Sequence, residues 1–350
     1  MNDIEAIAKD AKNFRQAVTQ GRPYKPLYIK IKVVWTCNLR CGMCNHWRDE
    51  SEDPLDVNFF KSLVGELAEM GCKKIHLTGG EATLRPNLEE LIAYIRDRKI
   101  RATMTTNATR IDLKRAKSLA KAGLRKVNIS IDSPESSIHD RIRGVPGAWE
   151  KTIAGFQYLR ALLKPGAMRI NTVITQLNYN SLVDLPDLAA DLGADHINLI
   201  AMDENTLDFQ RLTAAQIIDY NQRVAPIFAE KAMAKNLICQ VKEAYPFGST
   251  PSEIVQSLEG LYARDYYNNH PCFAPWTHAL IDHVGRVSVC CMMPNKPIIG
   301  DLRQQSFKEI WMGENFAALR QTKKLPMFET CQKCDMFLEN NRRLAEIVYS

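Results

Sequence analysis

The stretch Leu27-Tyr-Ile-Lys-Ile-Lys-Val-Val-Trp35, followed by Cys37-Asn-Leu-Arg-Cys41-Gly-Met-Cys44, organises the rest of the chain. The first segment is an apolar, β-branched run that predicts a β-strand. The second places three thiols within eight residues. Thiolates are soft ligands that suit iron–sulfur clusters or zinc. Because this loop supplies no fourth cysteine, it predicts a metal site with one open position, which is typical of catalytic rather than structural sites.

Beyond this stretch the chain alternates between strand and helix patterns. Alternation at this spacing predicts a parallel sheet with right-handed crossovers and therefore an α/β fold. In parallel barrels the functional residues lie at the carboxyl ends of the strands. Five strands are predicted after the first one, at 74–78, 100–106, 126–131, 168–174 and 196–201.

The cysteine spacing resembles a known family pattern. Cys37-x3-Cys41-x2-Cys44, with Met43 before the last cysteine, is similar to the cluster loop of the radical S-adenosylmethionine (SAM) enzymes. The resemblance implies a partial (β/α)6 barrel and a [4Fe–4S] cluster whose open iron chelates the amino and carboxyl groups of SAM. It also implies that an electron, from a flavodoxin- or ferredoxin-type donor, cleaves SAM to a 5′-deoxyadenosyl radical.

A Gly-Gly-Glu turn follows the second predicted strand. Gly79 and Gly80 let the backbone approach a ligand closely, and the carboxylate of Glu81 can accept from an ammonium group. A plain turn is the structural alternative. The family resemblance implies that this turn holds the amino group of SAM.

Three further residues occupy positions that the resemblance connects with SAM. Ser130 lies at the end of the fourth strand, and the resemblance implies that it contacts SAM. For Asn171 in the fifth strand it implies a contact with the ribose or the carboxylate of SAM, and for Met202 after the sixth strand it implies packing on the adenine. Each has a structural alternative: a serine bonded to backbone, an asparagine that caps the sheet and a core methionine.

A second set of cysteines lies near the C-terminus. Residues 277–289 predict a β-hairpin that turns at Val284-Gly285 and brings Cys272 and Cys290 to one end. Together with Cys331 and Cys334 they make four thiolates, which close the shell of a structural zinc or an auxiliary iron–sulfur cluster. The spacing resembles a SPASM domain in its shortened Twitch form, which implies one auxiliary [4Fe–4S] cluster.

Two cysteines remain outside these sets. Cys291 and Cys239 are either inert thiols or donors of a hydrogen atom to a substrate radical, as in radical SAM epimerases. Cys291 could also replace Cys290 as a cluster ligand, because adjacent residues on a strand point to opposite faces.

Composition and patterning define the organisation that we expect. The N-terminus is polar and no eighteen consecutive residues are apolar, which predicts a cytoplasmic protein without membrane contact. The net charge of +6 arises from 46 basic and 40 acidic residues without a basic run, so no nucleic-acid partner is expected. The predicted parts are an N-terminal helical extension (1–26), the barrel (27–235), a connecting region (236–270) and the auxiliary cluster domain (271–350).

These features predict a radical SAM oxidoreductase or epimerase that acts on a small molecule such as a sugar or an aminocyclitol. An alternative is a maturase of a ribosomal peptide, ranked lower because such enzymes often carry a larger N-terminal domain than the 26 residues before the first strand. A third possibility, from another class, is a non-catalytic scaffold that binds zinc.

Overall fold

The computed structural model describes residues 4–44, 46–48, 54–202, 205–206, 208–291, 297–335 and 337–350. Strands in these ranges form one sheet in the order β6-β5-β4-β3-β2-β1-β7-β8-β9. They are β1 (Tyr28–Val34), β2 (Lys74–Gly79), β3 (Arg101–Thr106), β4 (Lys126–Ser130), β5 (Met168–Ile174), β6 (His196–Ala201), β7 (His278–Ile281), β8 (Arg286–Ser288) and β9 (Gly300–Asp301).

The first six strands confirm the predicted partial barrel. Each pairs in parallel with the strand before it in the chain, and within the described sheet β6 does not pair back to β1. The predicted C-terminal hairpin is also present, since β7 and β8 pair antiparallel. β7 itself pairs in parallel with β1. The C-terminal region therefore extends the sheet of the barrel rather than forming a separate one.

Helices connect and cover these strands. The predicted helix at 2–19 is two helices. A short helix after β4 was not predicted, because Ile138 and Ile142 are its only apolar residues. The helices are α1 (Ile4–Lys9), α2 (Ala11–Thr19), α3 (Val57–Glu69), α4 (Leu88–Asp97), α5 (Leu113–Ala122), α6 (Ser136–Arg143), α7 (Ala148–Arg160), α8 (Leu185–Asp191), α9 (Ala214–Asp219), α10 (Ala225–Ala234), α11 (Pro251–Leu258), α12 (Tyr266–Asn269), α13 (Ala274–Thr277), α14 (Phe307–Met312), α15 (Glu314–Gln321) and α16 (Leu338–Tyr349).

Alternating side chains separate the two faces of the barrel sheet. Ile29 and Ile31 of β1 and Ile75 of β2 belong to the large core beneath the helices. Lys30 and Lys32 alternate with the isoleucines and therefore lie on the other face. Parallel strands that are covered on both faces are apolar throughout. Polar residues on the inner face show that this concave face lines a space instead of a second packed layer.

The N-terminal helices pack against the last helix of the chain. Ile7 and Phe14 share a buried cluster with Leu344 and Val348, so α1, α2 and α16 cover one side of the molecule together. Among the described helices we find none with both the length and the apolar surface needed to cross a lipid bilayer.

Candidate active site

The cysteines of the first motif lie in a loop directly after the carboxyl end of β1. Cys37, Cys41 and Cys44 pack together with Leu39 and Ala148. Burial raises the pKa of Cys37 to about 11 and also raises the pKa of Cys41. The backbone N–H of Leu39 donates to Sγ of Cys37 at 3.4 Å. Thiols in such surroundings ionise only when a metal or another positive charge stabilises the thiolate.

A buried arginine supplies such a charge. Nη1 of Arg143 donates to Sγ of Cys41 at 3.7 Å, and Nε of Arg143 lies 2.7 Å from Oδ2 of Asp132. The Asp132 side chain is fully buried and that of Arg143 is 10% exposed. Burial alone would lower the pKa of Arg143, but Asp132 and Cys41 outweigh burial and raise this pKa. The guanidinium group therefore stays charged beside the cysteine loop, a contact that sequence reasoning missed.

Backbone hydrogen bonds attach the loop to α6. The N–H of Arg40 donates to the carbonyl of Arg143 at 3.0 Å, and the N–H of Gly42 donates to the carbonyl of Ile142 at 3.2 Å. A Cβ atom at Gly42 would overlap the ring of Phe209, so this position requires glycine. The helix that was not predicted thus holds the middle of the loop and places Arg143 next to it.

The Gly-Gly-Glu turn lies against the base of the same loop. The N–H of Gly80 donates to the carbonyl of Val34 at 3.1 Å. A Cβ at Gly79 would overlap that carbonyl oxygen, and a Cβ at Gly80 would overlap the carbonyl oxygens of Trp35 and Thr36. The φ angle of Gly79 is 141°, which side chains other than hydrogen rarely allow. Close approach of two backbones therefore requires both glycines and brings the turn beside the thiols.

Hydrogen bonds from neighbouring residues hold the carboxylate of Glu81. Its carboxylate is 1% exposed and accepts hydrogen bonds from the N–H and hydroxyl of Thr83, the hydroxyl of Thr106 and the N–H of Asn107. These four donors lie at 2.6 to 3.0 Å. The carboxylate therefore braces the turn against the end of β3. Its contact with the amino group of SAM stays a prediction.

Ser130, Asn171, Met43 and Met202 lie at the same edge of the barrel as the loop. Ser130 and Asn171 are in register across β4 and β5, half-buried on the concave face. Met43 packs against the same small buried cluster as the cysteines of the loop. Met202 follows β6, is 4% exposed, and its carbonyl accepts from Oη of Tyr262 at 2.8 Å. The structure brings these residues to the carboxyl edge, while their contacts with SAM stay predictions.

A cavity of about 350 Å³ opens beside the cysteine loop. Its wall includes Arg40 and Gly42 of the cysteine loop, Phe209 of the segment after β6, Arg141 of α6 and Gln176 of the segment after β5. Arg40 and Arg141 share this wall with the carboxylate of Asp208, so the cavity is lined by charges of both signs.

The second set of cysteines gathers at the opposite edge of the sheet. Tyr28, the first residue of β1, lies opposite His278 of β7, and β8 returns antiparallel toward this end. Because β1 is seven residues long, about 20 Å of strand separates this end from the cysteine loop. The cysteines that contact the apolar cluster around Tyr28 are Cys272, Cys290, Cys291, Cys331 and Cys334.

The surroundings of these thiols resemble those of the first motif. Burial raises the pKa of Cys272 to about 12 and raises the pKa of Cys334. Nδ2 of Asn341 donates to Sγ of Cys272 at 3.6 Å, and Oη of Tyr267 donates to Sγ of Cys334 at 3.7 Å. Donors aimed at sulfur stabilise metal-bound thiolates, so the site is built for ligation.

The two remaining thiols are not near the first motif. Cys291 contacts the same cluster as Cys290, so either of them can complete the second site. Cys239 is exposed, and its backbone N–H donates to Glu243 near the amino end of β6. Its position at the edge opposite the first cysteine motif argues against a role as hydrogen donor. For Cys291 that role stays a prediction.

Both sets of thiols have surroundings that suit iron–sulfur clusters. In the ranges that the structure describes, no three His, Cys, Asp or Glu side chains are grouped so that they could hold one metal ion. Thiolates of a cuboidal cluster bind different irons and do not need to converge on one point. Soft donors, burial and donors aimed at sulfur therefore suit iron–sulfur clusters held by three and by four protein thiolates.

An open parallel barrel with a three-thiol loop at one edge and a four-thiol site at the other defines a class of cluster-dependent enzymes. The family model of the Radical SAM superfamily matches residues 31–191, and that of the SPASM iron-sulfur cluster-binding domain matches residues 272–335. The chain belongs to the radical SAM superfamily and carries a C-terminal auxiliary cluster domain of the SPASM/Twitch type. Its cofactors are SAM, a [4Fe–4S] cluster and an auxiliary [4Fe–4S] cluster.

Relatives show what kinds of protein share this arrangement. The chain is 28% identical over 311 residues to the AdoMet-dependent heme synthase of Methanosarcina barkeri, a match that covers 86% of each protein. It is 31% identical over 176 residues to the PqqA peptide cyclase of Bradyrhizobium diazoefficiens, which covers 50% of this chain and 46% of the relative. The structure of SuiB from Streptococcus suis with SAM aligns with a TM-score of 0.66 at 19% identity, over 95% of this chain and 76% of SuiB. SuiB has also been solved with precursor peptide SuiA.

Proposed function

We propose that this radical SAM enzyme abstracts a hydrogen atom from a C–H bond of a peptide. The open concave face is the observation that carries this proposal. The strands β1 to β6 form an arc with a polar inner surface, and the described sheet is not closed between β6 and β1. An open arc admits an extended substrate from the side, whereas a closed barrel of this size is filled by side chains.

The relatives support a peptide more than a small molecule. PqqA peptide cyclase matches half of the chain, and SuiB, which shares the fold, binds a precursor peptide. Oxidation or epimerisation of a sugar or an aminocyclitol, which the sequence favours at first, has no comparable support among these relatives. Since the match to the PqqA peptide cyclase of Bradyrhizobium diazoefficiens spans about half of that protein, its activity extends to this chain only as part of the proposal.

The chain itself binds, orients and shields the reactants. The clusters and SAM supply the electron and the 5′-deoxyadenosyl radical when they are bound. Cys37, Cys41 and Cys44 would hold the first cluster, and the turn at Gly79 and Gly80 would hold SAM beside it. The four-thiol site at the amino edge would hold the auxiliary cluster. A flavodoxin- or ferredoxin-type protein would deliver the electron.

Turnover with defined substrates tests the proposal. The anaerobically reconstituted enzyme is incubated with SAM, a chemical reductant and either a pool of synthetic peptides or a set of sugars and aminocyclitols. We expect peptides to raise the rate of 5′-deoxyadenosine formation and to yield a peptide that has lost two hydrogen atoms. Stimulation by the sugars or aminocyclitols alone would contradict the proposal.

Deuterated water separates the two kinds of peptide chemistry. A product that has lost two hydrogens and contains no solvent deuterium indicates oxidation or cross-linking. A product of unchanged oxidation state that carries solvent deuterium at carbon indicates epimerisation with a thiol donor, and a Cys291→Ala variant then shows whether this thiol is the donor.

A reaction on a tetrapyrrole is a second candidate. The match to AdoMet-dependent heme synthase is specific support, because it covers 86% of both proteins and therefore includes the barrel and the C-terminal region. Adding a carboxylated tetrapyrrole such as coproporphyrin III to the same assay separates the candidates. Stimulation of 5′-deoxyadenosine formation by the tetrapyrrole and by none of the peptides would favour this second function.

A further inference from the structure

We propose that His46 is a positioning residue for the first cluster and that its imidazole ring connects the ammonium group of Lys32 to the sulfur of Cys44. Nδ1 of His46 lies 3.6 Å from Sγ of Cys44, and Nε2 lies 2.9 Å from Nζ of Lys32. One ring thus meets a cluster ligand with one nitrogen and a cation with the other. The proposal rests on the cofactors of the family and not on the identity of the substrate.

The chemistry of the two neighbours fixes the tautomer of this ring. An ammonium group has three donors and no acceptor, so Nε2 of His46 accepts from Lys32. A metal-bound thiolate has lost its proton, so Sγ of Cys44 accepts from Nδ1. A neutral imidazole has one donor and one acceptor, and these two contacts use both of them. The hydrogen bonds therefore run in one direction, from the cation through the ring to the sulfur.

Aromatic neighbours hold the imidazole in this orientation. The indole of Trp35 packs against His46 with the ring centroids 4.4 Å apart, and Nζ of Lys32 lies 4.5 Å from an indole centroid as well. His283, in the turn between β7 and β8, contacts the same indole at 5.1 Å. Partners of this kind orient the groups that bind a metal, so the contacts of His46 suit a residue that fixes a ligand.

The local shape of β1 brings Lys32 to the cysteine loop. Lys32 lies on the concave face, two residues before the strand ends at Val34, and both Lys32 and His46 are half-buried. The ladder between β1 and β2 is irregular between Lys32 and Val34. Irregularities of this kind re-aim side chains beside functional sites. The contact thus joins the last turn of the strand to the loop that follows it.

With this histidine, each sulfur of the loop has a donor of its own. Cys37 accepts from a backbone N–H, Cys41 from a guanidinium group and Cys44 from the imidazole. Hydrogen bonds to the sulfurs and nearby positive charge favour the reduced, more negative cluster. The imidazole therefore raises the reduction potential by its own hydrogen bond. Lys32 strengthens this bond, because hydrogen bonds in a chain polarise one another.

Two simpler roles predict different behaviour. A histidine that only fills space in the loop would affect stability and leave the potential of the cluster unchanged. A lysine that acts by its charge through space would shift the potential whether or not His46 is present. The proposal requires that the effect of Lys32 depend on His46, and a double-mutant cycle measures this dependence.

Redox titration of the reconstituted holoenzyme tests the proposal without substrate or turnover. The reduced cluster is followed by electron paramagnetic resonance, and SAM, which binds only the cluster with an open position, identifies its signal. At a fixed potential we expect His46→Leu to lower the ratio of reduced to oxidised first cluster about tenfold, which is 59 mV for one electron. Lys32→Met should lower this ratio by a smaller factor, because the hydrogen bond to sulfur remains.

Three further variants separate the proposed role from the simpler ones. The His46→Leu/Lys32→Met double variant should have the same potential as His46→Leu alone. Lys30→Met removes the same charge from the same face of β1, about 7 Å farther from the loop, and should keep the potential of the parent. His46→Asn keeps an N–H donor near the position of Nδ1 and should recover most of the loss.

The outcomes that overturn the proposal are specific. An unchanged potential in His46→Leu at full iron content would leave the histidine with a packing role only. Additive effects of His46→Leu and Lys32→Met would show that the lysine acts on the cluster independently of the ring. If His46→Leu does not take up the first cluster, the comparison of Lys32→Met with Lys30→Met decides, and equal potentials for these two variants would overturn the proposal.

Discussion

Replacing Asp132 with asparagine should destabilise the protein more than removing the whole Asp132–Arg143 pair. The two charged groups lie 2.7 Å apart and are almost completely buried. Asp132→Asn leaves the guanidinium charge without its partner in the interior, which costs about 3–5 kcal/mol. Replacing both residues with apolar ones of similar volume is often close to neutral.

The effect is large enough for thermal unfolding. At about 2.1 cal/mol/K per residue, unfolding 350 residues has an entropy of about 0.7 kcal/mol/K, so 3–5 kcal/mol lowers the melting temperature by about 4–7 °C. The assay compares Asp132→Asn, Arg143→Met and the Asp132→Leu/Arg143→Met double variant under anaerobic conditions. Asp191→Asn, at an exposed position on α8, is the control that should melt within a degree of the parent.

The same variants should shift the potential of the first cluster. Arg143 donates to Sγ of Cys41, and its positive charge favours the reduced, more negative cluster. Arg143→Met should therefore lower the midpoint potential in a redox titration followed by electron paramagnetic resonance, whereas Asp132→Asn should raise it. If Asp132→Asn changes the melting temperature by less than 2 °C, or if both variants shift the potential in the same direction, the role assigned to this pair is wrong.

Three further predictions concern the loop, the turn beside it and the buried histidines. Changing all three cysteines of the loop to alanine should abolish 5′-deoxyadenosine formation and reduce the iron content from roughly eight to roughly four atoms per chain. If SAM cleavage survives this change, the loop does not hold the catalytic cluster. Gly80→Ala should lower the free energy of unfolding by about 1–3 kcal/mol or more and weaken SAM binding, because its Cβ would overlap two carbonyl oxygens. The control is Gly65→Ala on α3, where there is room for a methyl group, and calorimetry and equilibrium binding should show no loss for it. Burial lowers the pKa of His139 and of His278 to about 3 and that of His76 well below 6.5. As the pH falls through 6.5, these histidines therefore become protonated in the unfolded state and stay neutral in the folded state, which destabilises the fold. Between pH 7.5 and pH 5.5 each histidine should lower the free energy of unfolding by about 1.4 kcal/mol, which is about 4 kcal/mol for the three together. Denaturant midpoints that do not fall over this range would show that these histidines are not held neutral in the folded state.

Local sequence determined the parts of this protein that depend on chemistry or periodicity over a few residues. Three cysteines in one loop predict a metal site with an open position. Alternating strand and helix patterns predict the parallel partial barrel, and the turn at Val284-Gly285 predicts the hairpin. These inferences hold because ligand type, side-chain period and turn conformation are set by neighbours in the chain.

Only the tertiary structure decided which distant residues meet. Arg143 reaches Cys41 across 102 positions of sequence because an unpredicted helix after β4 packs on the cysteine loop. Glu81 finds donors at the end of β3, Thr106 and Asn107, which lie 25 and 26 positions away in the sequence. Register and crossover packing are long-range properties, and no local pattern of residues specifies them.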